Sequence, residues 1–275
     1  SFLMSIVSTE WLSKNHSKVK IIDSSWHMPG TNRDAYEEYQ KEHIKDAIFF
    51  DIDKSSNKKT ELPHMLPNEK DWEKIVSNLG ITNQDRIVVY DNSDVISSCR
   101  CWYTFIFFGH KPNLISVLDG GLLKWKKEKK ETTSRTTKLE KKIYKAKKIS
   151  NLVKTQNEIN KNILEKKFKV VDARSKKRFL GLEKEPRPGL KSGSIENSYC
   201  LPFGELINLE NKTFLEKNLI KEKFAEIGVN NENNVVFSCG SGITATVLSL
   251  AYSMINDKYL PIVYDGSWAE YGRIK

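Results

Sequence analysis

The chain has 275 residues, 39% hydrophobic and 29% charged, the balance of a folded protein long enough for one large domain or two ordinary ones. No apolar run approaches the roughly 18 residues of a membrane span, and the opening SFLMSIVSTEWLSKN lacks a basic stretch leading into a long apolar one with a cleavage site. The expected location is therefore the cytoplasm, with no membrane contact. Four cysteines (Cys99, Cys101, Cys200 and Cys239) are too few for a disulfide framework.

In chain order, the β-branched pair Ile21-Ile22 predicts a strand and RDAYEEYQKEH a helix. NEKDWEKIVSNLG predicts a second helix, and Ile87-Val88-Val89 and Ile115-Ser116-Val117 predict two further buried strands. Residues 124–148 are lysine-rich but mix Glu and Thr with the lysines and offer no aromatic platform beyond Trp125 and Tyr144. They read as a solvated linker rather than a nucleic-acid arm, and no nucleic-acid partner is expected. Cys99 and Cys101 make one C-x-C without a second pair or a nearby histidine, so no metal is expected.

After the linker the pattern begins again. VKIIDSSW (19–26) resembles FKVVDARS (168–175), DRIVVYDNSD (85–94) resembles NNVVFSCGSG (233–242), and LISVLDGGLLKW (114–125) resembles LPIVYDGSWAEY (260–271). The intervals agree as well: Asp23 to Asp91 is 68 residues and Asp172 to Cys239 is 67. Asp91 to Asp119 is 28, and Cys239 to Asp265 is 26. Strands alternating with helices in two matched copies imply an α/β protein of two homologous domains, 4–125 and 150–275, each a parallel sheet with helices on both faces. Residues 126–149 join them.

The alignment sets Asp91 opposite Cys239, so only the second copy carries a thiol there. A carboxylate at a strand's end can cap the following helix, which gives Asp91 a structural task. Cys239 ends the apolar run Val235-Val236-Phe237 and opens the turn Cys239-Gly240-Ser241-Gly242 ahead of a helical segment. Open parallel sheets place ligand chemistry at such a turn, where the helix dipole and free N–H groups favour a thiolate. A phosphate loop would need Lys-Ser/Thr after its last glycine, where Ile243-Thr244 stand, and a cysteine phosphatase would need an arginine at the place of Ala245. Phosphoryl chemistry is not expected.

Over nearly the whole chain the residues resemble the tandem-domain sulfurtransferases of the rhodanese superfamily, through CGSGITA, EPRPGLKSG, FFDID with ELPHMLP, LDGGLLKW and YDGSWAEYG. The loop CGSGITA is similar to that of the 3-mercaptopyruvate sulfurtransferases, whereas thiosulfate sulfurtransferases carry arginine and lysine at the places of Gly240 and Ser241. The resemblance implies a persulfide on Cys239, formed from a small anionic sulfur donor and passed to an acceptor thiol, reduced thioredoxin among them, or to cyanide, with no cofactor. It implies a loop of backbone N–H groups from Gly240 through Gly242, Ile243 and Thr244 facing the sulfur, and Arg178 and Arg187 binding the donor's carboxylate. It further implies a proton path through Ser241 with a first-domain histidine and aspartate, matched to His43 and Asp34, and a structural role for Arg100. A thiosulfate:cyanide sulfurtransferase and a persulfide carrier without turnover are the alternatives. HIKD and GSIE stand where the family has His-Ile-Pro-Gly, so Lys45-Asp46 and Glu196-Asn197 must turn the chain without proline or glycine.

Overall fold

The computed structural model describes residues 4–275, which fall into two compact units. The first comprises residues up to Ser56 with Pro67–Ile149 and Leu209–Thr213, and the second comprises Asn57–Leu66, Ser150–Asn208 and Phe214–Lys275. Each half of the sequence therefore contributes one loop to the other half's unit.

In the first unit the strands are β1 (Ile6–Val7), β2 (Lys20–Asp23), β3 (His43–Ile44), β4 (Ile48–Phe49), β5 (Ile87–Tyr90), β6 (Ile115–Leu118) and β7 (Thr132–Thr133). Five of them make a parallel sheet in the order β1-β6-β5-β2-β4, while β3 and β7 form a separate antiparallel pair. In the second half lie β8 (Val153–Lys154), β9 (Lys169–Asp172), β10 (Tyr199–Cys200), β11 (Ile207–Asn208), β12 (Thr213–Phe214), β13 (Val235–Ser238) and β14 (Val263–Tyr264). The second sheet is also parallel, ordered β10-β9-β13-β14-β8, and β11 pairs with β12. Read from the other end this is the order of the first sheet, so the duplication seen in the sequence extends to topology.

The central strands β5, β6 and β13 are buried at every residue, because helices cover a parallel sheet on both faces. The helix Ser98–Phe107 is buried at all ten positions and packs its aromatics with Trp72, whose ring stacks on Phe108 and meets Phe105 edge-on. In the second unit the helix Ala245–Ile255 takes the same place, and its Tyr252 meets Phe224, Phe237 and Tyr259 edge-on. Such aromatic pairs add about 0.5–1.5 kcal/mol each beyond their burial.

Register carries the alignment to single residues. Asp23 pairs with Tyr90 and Asp172 with Ser238, so the next residues, Asp91 and Cys239, occupy one site in two copies. Asp91 caps as expected: its carboxylate accepts the N–H groups of Ser93 (3.0 Å) and Ser98 (2.9 Å), the latter opening the buried helix.

The two turns lacking proline and glycine close in the same way. Asp46 (φ 67°) and Asn197 (φ 64°) both take the left-handed conformation, and Ala47 and Ser198 donate to the carbonyls of Ile44 and Ile195. Asp and Asn are the residues besides glycine that tolerate it.

Residues 126–149, expected as a solvated linker, belong to the first unit, and after the helix Gly121–Lys127 and the short strand β7 they run on as an irregular strap. Thr137 Oγ1 donates to Ala47 O, Lys142 N–H to Ser77 O, Lys147 N–H to Phe108 O and Ile149 N–H to Phe107 O. Tyr144 turns inward, 1% exposed, and its hydroxyl meets His110 Nδ1 at 2.9 Å. No helix among the described residues is long and apolar enough to cross a membrane.

Candidate active site

Cys239 follows the last residue of β13 and is 1% exposed. Its backbone is tied from behind: Ser267 Oγ accepts the Cys239 N–H (3.1 Å), while Trp268 and Ala269 N–H donate to the carbonyls of Cys239 and Gly240 (both 2.9 Å). With those carbonyls engaged, the chain turns back on the sulfur, and Gly242 N–H reaches Cys239 Sγ at 3.0 Å. A sulfur anion takes that hydrogen bond more strongly than a neutral thiol does. Ile243 is buried, and the Ile243 and Thr244 carbonyls accept the N–H groups of Thr246 and Val247, so the loop runs directly into the helix Ala245–Ile255. The helix N-cap, Thr244, comes five residues after the cysteine.

The two loop glycines answer different demands. Gly242 has φ +87°, a conformation that costs other residues strain. Gly240 needs space instead: a β-carbon there would stand 3.1 Å from Arg178 Nη2 and 3.7 Å from Arg187 Nη1. Both arginines expected to bind the donor thus present their guanidinium heads to the loop.

Arg178 is held by Glu185, whose carboxylate accepts its Nε (2.9 Å) and Nη2 (2.7 Å). The Glu185 side chain is 1% exposed and also meets Arg174 Nη1 at 3.1 Å. Arg174 in turn makes a bidentate pair with Asp172 and lies 4.7 Å over the Trp268 ring. Burial would lower the pKa of the Arg178 guanidinium, but Glu185, with Cys239 and Asp172 near it, raises it overall. The cation is therefore permanent. Burial pushes the thiols of Cys99 and Cys101 up strongly and that of Cys200 up to about 11.

The histidine in the site is His64, which the sequence reading left without a role. It is 5% exposed, its φ is 60°, and its Nδ1 stands 3.0 Å from Ser241 Oγ. It sits on residues 57–66, which pack within the second unit; Asn57 N–H donates to Met65 O and Leu66 N–H to Asp265 Oδ2 at 2.8 Å. The available signal was a histidine between Pro63 and Pro67 on a long stretch without helix or strand, the kind of loop that carries function.

His43 and Asp34, expected as the proton partners, are occupied elsewhere in the first unit. His43 is fully buried in β3, stacks on Tyr39, and has its two ring nitrogens against the carbonyls of Tyr39 (2.6 Å) and Arg135 (2.9 Å). Asp34 caps the helix Ala35–Lys41, its carboxylate accepting Glu37 N–H at 2.9 Å. Both are structural. Arg100 is also buried, 5.6 Å over the Tyr103 ring.

These features define a class: a duplicated parallel α/β protein whose second copy holds, at the sheet's carboxyl edge, a cysteine whose sulfur accepts a backbone N–H. The chain belongs to the rhodanese family, since the rhodanese-like domain matches residues 8–128 and 155–273. It is 35% identical to mouse 3-mercaptopyruvate sulfurtransferase, covering 97% of this chain and 91% of the relative. It is 36% identical to rat thiosulfate sulfurtransferase over 98% of this chain and 92% of the relative. Among solved structures, the Escherichia coli 3-mercaptopyruvate sulfurtransferase SseA superimposes with a TM-score of 0.86 at 28% identity, over 96% and 99% of the two chains.

Proposed function

We propose that the protein is a sulfurtransferase that takes sulfur from 3-mercaptopyruvate. The relatives do not separate this donor from thiosulfate, because the chain is about equally similar to enzymes named for each. The observation that carries the choice is Ser241 Oγ beside His64 Nδ1 at 3.0 Å, in a loop that adds no cation of its own.

Once its sulfur is taken, mercaptopyruvate becomes the enolate of pyruvate, which needs a proton, whereas thiosulfate becomes sulfite, which needs none. The Cys239 thiolate attacks the donor's sulfur, the S–S bond forms, and the C–S bond breaks with its electron pair passing to the pyruvate enolate. Arg178 and Arg187 hold the carboxylate through planar N–H forks. Gly242 N–H stabilises charge on the cysteine sulfur. Ser241, backed by His64, delivers a proton at the carbonyl end. The donor's thiol proton balances the one taken up by pyruvate. In the second half-reaction an acceptor thiolate attacks the outer sulfur and frees the Cys239 thiolate; reduced thioredoxin is the acceptor we infer, and cyanide would give thiocyanate.

Steady-state kinetics with the two donors test the reading. A kcat/KM more than about tenfold higher for mercaptopyruvate is expected, a difference of about 1.4 kcal/mol in transition-state stabilisation. A preference for thiosulfate would assign the loop to the alternative donor, whose sulfonate the same two guanidinium groups could grip. Mass spectrometry after donor treatment should find one added sulfur on the Cys239 peptide and none in Cys239→Ser.

A further inference from the structure

The residues 124–148 contain twelve Lys and Arg against three Glu, so they hold nine of the chain's net +10 charges. The remainder of the protein is nearly neutral. A flexible basic run would spread that charge through solvent, but the strap is fastened along its length: Lys142, Lys147 and Ile149 donate backbone N–H groups to Ser77, Phe108 and Phe107. Lys145 N–H donates to Asn83 Oδ1 and Ala146 N–H to Glu73.

Tyr144 is buried beneath the strap, whereas most of its lysines, with Leu139 and Ile143, are exposed. Lys141, Lys145, Lys147 and Lys148 are exposed and make no ion pair among the described residues, in contrast to Lys124 and Lys126, which pair with Glu128 and Glu42. Interleaved with these cations are Leu139, 50% exposed, and Ile143, 77% exposed. At the start of the strap a cavity of about 460 Å³ adds Lys45, Arg135, Lys138 and Thr136, with Asp46 and Glu131 also on its lining.

We propose that this strap is a peripheral docking surface for an anionic lipid bilayer. Fixed, unpaired lysines meet the headgroup phosphates, and Leu139 and Ile143 enter the boundary between headgroups and acyl chains. Two features favour a bilayer over nucleic acid. The strap's aromatic ring is buried, leaving no exposed platform for base stacking. Exposed aliphatic side chains between cations gain nothing on a phosphodiester backbone and are stabilised in lipid. The surface is separate from the sulfur-transfer chemistry, and it departs from the expectation of no membrane contact, which rested on the lack of an apolar span that a peripheral surface does not need.

The test is co-sedimentation of the full chain with phosphatidylcholine vesicles, with and without about one third phosphatidylglycerol, in roughly 0.1 M salt. Binding to the anionic vesicles at least tenfold tighter than to the neutral ones is expected. Each lysine near such a surface contributes roughly a fivefold gain, so Lys141→Glu, Lys145→Glu and Lys147→Glu together should cost about a hundredfold or more. Leu139→Ser with Ile143→Ser should weaken vesicle binding severalfold while leaving retention on heparin unchanged. Donor kinetics and circular dichroism equal to the parent's show that these variants are folded. No binding to anionic vesicles would overturn the proposal. So would vesicle binding that the serine pair leaves intact, or duplex DNA binding more tightly than the vesicles.

Discussion

His64 Nδ1 and Ser241 Oγ stand 3.0 Å apart although 177 positions separate them in the chain. The contact puts an imidazole from the first half's loop next to the hydroxyl two residues past Cys239. General acid–base groups contribute about 10²–10⁴-fold. His64→Ala should therefore lower kcat with mercaptopyruvate by about a hundredfold or more and spare thiosulfate turnover, whose leaving group takes no proton. Ser241→Ala should do the same, and the double variant should be little worse than either, since two members of one path are not additive. Equal losses with both donors would show that His64 only positions the loop.

Gly240 keeps room for the arginine heads. Because a β-carbon would stand 3.1 Å from Arg178 Nη2, Gly240→Ala should displace that guanidinium by a few tenths of an ångström. The expected result is a several-fold rise in KM for mercaptopyruvate with little change in kcat. By the same geometry, Gly240→Arg with Ser241→Lys should shift the donor preference towards thiosulfate, partly by disturbing the carboxylate clamp. An unaltered KM in Gly240→Ala would show that the arginine heads do not meet the donor where they lie in the free protein.

Glu185 ties Arg178 to the fold. Its buried carboxylate meets both Arg174 and Arg178, so Glu185→Gln leaves a buried cation under-compensated, a change that costs about 3–5 kcal/mol when one partner of a buried pair is lost. Urea unfolding should show the loss, and KM for mercaptopyruvate should rise as Arg178 loses its orientation. Unchanged stability and KM would remove Glu185 from both tasks.

Asp23 predicts a pH dependence of stability. Its sister Asp172 is paired with Arg174, but Asp23 is fully buried and receives the N–H and hydroxyl of Ser25. Burial foremost, with Asp91 adding to it and Ser25 opposing, raises its pKa from 3.8 to about 6. Between those values the folded state holds more protons than the unfolded one, so this group's contribution to stability falls as pH rises through the window. Asp23→Asn removes the contribution. Its stability relative to the parent should improve from acid to neutral pH by up to about 3 kcal/mol, at 1.36 kcal/mol per unit. Unfolding midpoints of the two proteins that run parallel with pH would contradict the assignment.

The sequence by itself determined the duplicated α/β architecture, the position of Cys239 at a strand's carboxyl end, and the replacement of that thiol by Asp91 in the sister copy. All three are local or periodic properties: β-branched runs, small-residue turns and matched intervals survive in one dimension. The tertiary structure alone decided which histidine reaches the loop. His43 and His64 are both first-half histidines, and only folding shows the ring nitrogens of His43 set against two carbonyls while residues 57–66 join the second unit. It likewise decided that Gly240 answers crowding by Arg178 and Arg187 and that Gly242 answers a positive φ. It also decided that the lysine-rich stretch is a strap fixed to the first unit, because the groups that hold it, such as Ser77 and Phe108, lie far away in sequence. Long-range hydrogen bonds and close approaches of that kind have no signature in a single sequence, since the partners meet only after the sheet has formed.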